Sequence, residues 1–351
     1  MRTIISSFVI VLLLSLAGYA VPRYAAQYNQ ACHLCHVDPS GGGARTLYGA
    51  QFFAYTELAV QETPFEEIGK IQPMLNDQIQ IGFDARTQFY GEEYSESNSF
   101  LQMQGDVYLA FRLSDQWLFY LDKGLYSNFE VWGSGHILPA NGYIKVGHFT
   151  PPYGLRLADH KVFVREKLGM QYGWQESGME IGFHPEIFSG AVAVTNGSTQ
   201  LIDANEGKAV TARADVRLPV GGAFLWLGAT GRYNETTDIE DIIGGGYGAL
   251  TFGPVTIMGE ADYREMGNTA SLIGFGQATM KIRRGVTAKL EYNFYDPDID
   301  YESGAETMVV VGCEVVPTGF LELIPNIRYH DFDNINIDSF YEAELQLHIF
   351  F

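Results

Sequence analysis

The sequence predicts an all-β fold: a closed transmembrane barrel of sixteen antiparallel strands, with fourteen also compatible with the pattern. Three observations carry this. From Met74 onward, residues alternate between apolar and polar or small in blocks separated by turns. The connections between blocks alternate between tight turns and longer, acid-rich loops. Charged residues make up only 18% of the chain and aromatic residues 14%, yet no stretch after the first twenty residues is apolar enough for a membrane helix. A membrane-resident chain without such a helix must close its backbone hydrogen bonds as a barrel.

The first element is a leader. MRTIISSFVIVLLLSLAGYA has a basic start at Arg2, an apolar core and small residues at Gly18 and Ala20. This reads as a signal peptide over 1–20, cleaved after Ala20. The formal charge of -20 argues against nucleic acid as a partner, because phosphate binding needs a basic surface.

The barrel is expected over 74–351. Strands are placed at 74–90, 99–113, 117–126, 129–138, 142–150, 177–184, 187–196 and 207–218, then at 222–234, 242–252, 254–264, 270–283, 285–296, 304–316, 319–330 and 339–351. Period-two patterning sets their faces. In VTAKLEYNF, Thr287, Lys289, Glu291 and Asn293 share one face, and Ala288, Leu290, Tyr292 and Phe294 the other. PVGG (219–222), FGP (252–254), RRG (283–285) and VPTG (316–319) are short turns, whereas YNETTDIED, NFYDPDIDYESG and HDFDNINID are long and acidic. Short turns at one end and long loops at the other form the bacterial outer-membrane pattern. The last strand, FYEAELQLHIFF, alternates to its end and needs a partner to cover its edge. Cys313 alternates with Glu314 and falls on the lipid face as an apolar filler.

Before the barrel, NQACHLCH carries C-x-x-C-H at Cys32, Cys35 and His36. This spacing is read as covalent attachment of one c-type haem, with Cys32 and Cys35 in thioether bonds and His36 as proximal iron ligand. A thioredoxin-like site would need a βαβ context, and a zinc site needs four well-spread ligands. Residues 21–73 are therefore expected to form a small N-terminal c-type haem domain, or a plug at the periplasmic mouth or in the lumen. Gly41 to Gly43 would let the chain pass close to a flat cofactor, and Leu47, Tyr48, Phe52, Phe53 and Tyr55 would form a short amphipathic helix. His348 and His184, inward-facing near the short-turn end, are candidate distal ligands beside Tyr28, Met74, other histidines or an open position.

Two loop features remain. Carboxylates such as Glu235, Asp238, Asp298 and Asp300 could attract hard metal cations, although solvated loop carboxylates are the plainer reading. GLRLADHKVFVREKLGMQYGW (154–174) carries Arg156, Lys161, Arg165 and Lys167. Folding into the lumen and lying on the surface are both open for it.

These pieces resemble the fused monohaem cytochrome–porins of the bacterial outer membrane and are similar to the iron-oxidising outer-membrane cytochromes. Pro22, Tyr24, Ala25 and Gln27 precede the motif as in that family, and Pro39 with Gly41 and Gly49 with Phe52 follow it. KVGHFTPPYG (145–154) resembles a signature of some specific porins. The triple glycine and the short barrel depart from the iron oxidases. The resemblance implies electron transfer through one haem c between an extracellular partner, Fe(II) or another redox species, and a periplasmic c-type cytochrome, with outer-membrane lipid around the barrel. The alternatives are a diffusion porin with a haem sensor or gating domain, and a barrel partner in a larger porin–cytochrome complex.

Overall fold

The computed structural model describes residues 22–125, 129–171, 173–200, 202–203, 205–235, 239–333 and 337–351; the leader expected at 1–20 and Asp238 lie outside these. Sixteen strands follow one another around a single closed antiparallel barrel. They are β1 (Ile79–Glu92), β2 (Ser97–Arg112), β3 (Trp117–Gly124), β4 (Phe129–Leu138), β5 (Gly142–Phe149), β6 (Glu176–Phe183), β7 (Phe188–Thr195) and β8 (Ala209–Val220). Then come β9 (Ala223–Glu235), β10 (Glu240–Phe252), β11 (Val255–Met266), β12 (Thr269–Arg283), β13 (Val286–Asp296), β14 (Glu306–Thr318), β15 (Leu321–Phe332) and β16 (Phe340–Phe350).

The ring closes where β1 pairs with β16, in register from Asp84 opposite Phe350 to Glu92 opposite Glu342. That seam removes the exposed edge that the last strand would otherwise present. A fourteen-strand count fails because β3 and β4 are separate strands and β6 and β7 pair as a short hairpin. Outward positions such as Val107, Leu227, Leu290, Val311 and Ile327 are exposed and apolar, as a lipid-facing wall requires. Among the described residues no helix is long and apolar enough to cross a membrane.

Two segments fill the lumen. The first is residues 22–78, built from α1 (Pro22–Tyr28), a 3-10 turn (Cys32–Leu34), a π-helix (Tyr48–Leu58) and α2 (Phe65–Ile68). It leans on the wall at many points. Arg23 forms a bidentate pair with Glu314 of β14 at 2.7 and 2.6 Å. The Ala44 amide donates to the Tyr120 hydroxyl of β3 at 3.0 Å. The Val60 amide donates to the Val316 carbonyl at 2.8 Å. The expectation of a separate small c-type haem domain is corrected: this segment is a plug within one sixteen-strand fold. A stretch this short buries too little surface to stand alone, and its contacts run to strands on opposite sides of the ring.

The second is the connection between β5 and β6, residues 150–175, with the single turn α3 (Phe163–Glu166). Of the two readings left open by its sequence, the lumen is the one adopted. Leu155, Val162, Phe163 and Val164 are almost completely buried against inward side chains of β9 to β14, among them Trp226, Ile243, Met258, Phe275 and Val310.

Candidate functional site: the plugged lumen

Between plug and inward loop lies a cavity of about 350 Å³. Its walls come from the plug (Cys32, Cys35, His36), from the loop (Arg156, Asp159, His160) and from inward positions of the surrounding strands. Alternation makes this possible, since every second residue of a barrel strand points inward.

The plug is fixed here by buried charge. Lys145 of β5 lies 3.2 Å from Asp38 of the plug and 3.1 Å from Glu180 of β6, and all three side chains are essentially buried. Burial alone would raise the Asp38 carboxyl, but the neighbouring Lys145 ammonium and Arg156 guanidinium outweigh it and hold the group below the usual carboxylate range. Arg156 ties the two fillings together: it donates to the Gly41 carbonyl and, at 2.9 Å, to the Ser40 hydroxyl. Gly41, Gly42 and Gly43 all have positive φ (97°, 84° and 61°), a region that favours glycine. The close approach they allow is to the Cys32 side chain, Arg156 and the Tyr120 hydroxyl.

The loop is fixed by charge as well, on other strands. Arg165 pairs with Glu260 of β11 at 2.7 Å, and the Leu155 amide donates to the same carboxylate at 2.8 Å. The Tyr153 hydroxyl donates to Asp262 at 2.6 Å. Asp159 reaches Arg328 of β15 at 2.6 Å. Its carboxyl, which burial would raise, is held down by Arg328 and Lys289. Burial, aided by the Arg86 charge, pushes the His160 imidazole down to about 4.

The residues singled out by sequence are distributed as follows. Cys32, Cys35 and His36 all line the cavity. Neither Cys32 nor Cys35 is in a disulfide. His348 also lines it, but its Nε2 lies 3.0 Å from Asp84 and its Nδ1 2.8 Å from Glu322. His184 sits in the turn after β6, stacked on Tyr143 and close to His33, with Nδ1 3.1 Å from the Ser189 hydroxyl. Among the described residues no group of three or more His, Cys, Asp or Glu side chains is placed to hold a metal ion. The expectation of one covalent haem c is corrected on this finding. The helix expected at 47–55 is a π-helix that buries Phe53 and Tyr55 but leaves Leu47 and Phe52 exposed.

Sequence reasoning missed the anchors. Lys145, Glu180, Glu314 and Tyr120 were visible only as inward-facing strand residues. Their partners lie far away in the chain, and no local pattern announces them.

Comparisons with known proteins give the fold. No family model matches the chain. No curated protein matches it either. Solved porin structures do. "Outer-membrane expressed OmpT of Vibrio cholerae" superposes with a TM-score of 0.58 at 12% identity, covering 80% of this chain and 100% of that one. OprB of Pseudomonas putida gives 0.62 at 10% identity, covering 85% and 100%. The "anion-selective porin from Comamonas acidovorans" gives 0.58 at 10% identity, covering 78% and 99%. The resemblance to fused monohaem cytochrome–porins is therefore corrected to a likeness to porin barrels, and the electron-transfer reading falls with the cofactor. The sixteen-strand wall with its apolar outer face places the chain in the bacterial outer membrane.

Proposed function

We propose that this protein is a diffusion porin whose N-terminal segment plugs and gates the pore. The observation that carries the reading is the cavity, lined by charged and apolar side chains alike, held between plug and inward loop inside a sixteen-strand lumen. A wall of this size encloses more space than strand side chains alone can fill. The remaining width is taken by two insertions, one anchored at the short-turn end, where the π-helix and the residues after it meet the β12–β13 and β14–β15 turns. Small polar solutes and ions entering from the loop side would meet charged walls and then the plug. Outer-membrane lipid is the partner that the outer face fits.

The test is conductance of the purified full-length protein in planar bilayers. Stepwise openings are expected, together with longer or larger openings after Arg23→Gln, which removes the bidentate contact to Glu314. A folded, heat-modifiable preparation that leaves bilayer conductance at background in both forms would sink the reading.

A further inference from the structure

We infer that the cavity binds a small uncharged polyol, with Lys289 as its main contact and the Gln175 and Gln346 amides as further ones; the inference rests on the diffusion reading and names the solute class for it. Three polar side chains of the cavity wall are more than nine-tenths buried and make no side-chain hydrogen bond among the described residues. Lys289 of β13 is 8% exposed, Gln175 at the end of the inward loop 8%, and Gln346 of β16 7%. All three line the cavity.

The ammonium of Lys289 has three donors to fill and no acceptor of its own. Its one ion-pair neighbour among the described residues is Glu291, at 4.0 Å, beyond hydrogen-bond reach. The Glu291 oxygens accept instead from Gln277 and Asn293, each at 2.9 Å. Gly312, directly opposite Lys289 on β14, offers no side chain. Asn326, next across the ladder, donates to Glu344 at 2.5 Å. A buried ammonium with unfilled donors is costly, so an acceptor has to come from the cavity.

That acceptor is not an anion. Asp159, Glu342 and Glu344 all pair with Arg328, and Glu342 is shared with Lys161. With Lys289 and Glu291 added, and each group counted once, no excess of positive charge remains. A further carboxylate would be buried there without a cation of its own. An uncharged oxygen meets the ammonium without that cost. A hydroxyl both accepts and donates, so it also suits the amide oxygens and NH2 groups of Gln175 and Gln346. Several hydroxyls on one molecule match contacts spread over two strands and the loop. The volume of about 350 Å³ lies within the range of small-molecule sites.

The experiment is calorimetric titration of the folded full-length protein in detergent with sorbitol. Gluconate, of the same chain length but bearing a carboxylate, is the contrast. Sorbitol is expected to bind saturably, and gluconate more weakly. Lys289→Met should weaken sorbitol about tenfold, as loss of a charge-assisted hydrogen bond does, and Gln346→Leu about threefold. If Lys289→Met does not fold, Gln346→Leu carries the comparison. No saturable sorbitol heat means that water alone fills the site, and overturns the inference. Gluconate binding as tightly as sorbitol, or sorbitol affinity unaltered in the variants, also overturns it. Bilayer conductance is read separately. Conductance without sorbitol binding removes the site and leaves diffusion standing, whereas sorbitol binding with a silent bilayer supports the site and removes the diffusion reading.

Discussion

The plug and the inward loop fill the same lumen with different balances of charge and apolar contact. The loop combines an apolar core with ion pairs: Leu155, Val162, Phe163 and Val164 pack into side chains of six consecutive strands, while Lys161, Arg165, Lys167 and Asp159 pair with Glu342, Glu260, Glu306 and Arg328. The plug meets the wall through ion pairs and hydrogen bonds, Arg23 to Glu314, Asp38 to Lys145 and Ala44 to Tyr120, and through a smaller apolar patch of Ala54, Tyr55 and Ile68 on Phe350. Apolar burial is non-directional and grows with area, so it survives small displacements. A charged contact fails once one partner is gone and leaves the other buried at high cost. The plug, with the smaller apolar contact, is thus the more sensitive of the two to the loss of a single charge.

Three changes would break or sharpen that contrast. The largest effect is expected from Lys145→Met. It leaves Asp38 and Glu180 buried together with only Arg156, 3.8 Å from Asp38, to offset their charge, a loss of about 3–5 kcal/mol. Protease nicking of residues 22–78 should rise sharply in the folded barrel, and a plug as protected as in the wild type would contradict ionic anchoring. Next comes Phe163→Ala, expected to cost about 3–4 kcal/mol through the cavity it leaves. Here the loop should loosen and the plug should not, so limited proteolysis should cut within 150–175 and spare the N-terminal segment. The smallest effect is acidification. His160 has its pKa lowered from 6.5 to about 4, so it is neutral in the folded loop. Its contribution is fully present above pH 6.5 and is lost progressively as the pH falls to about 4, where the folded form also takes up the proton. Discounted for its partial exposure, the loss is on the order of 1 kcal/mol. Urea unfolding at a series of pH values should show this slope, and His160→Gln should remove it.

Much of the wall was legible because alternation is a local signal. The sixteen blocks and the tight turns at Gly221–Gly222, Gly253–Pro254 and Arg284–Gly285 stand in the sequence where the strands and turns stand in the structure. The interior was less legible. Ile243, Phe275 and Val310 point inward yet are apolar, so β10, β12 and β14 read as apolar on both faces until the loop that covers them is known. The plug contacts were hidden for a related reason: Arg23 and Glu314 are separated by 291 positions. The C-x-x-C-H spacing states a local chemistry in five residues, but a metal site needs further ligands converging from elsewhere, and that convergence is not written in the motif.

The seam between β1 and β16 also dictates an order of assembly. Tyr120, Lys145 and Glu314 stand on β3, β5 and β14, and they come to their final spacing only when the ring is shut. Long-range contacts of this kind form late, because the chain between them must be ordered first. The N-terminal segment therefore reaches its full set of wall contacts only with, or after, closure of that seam.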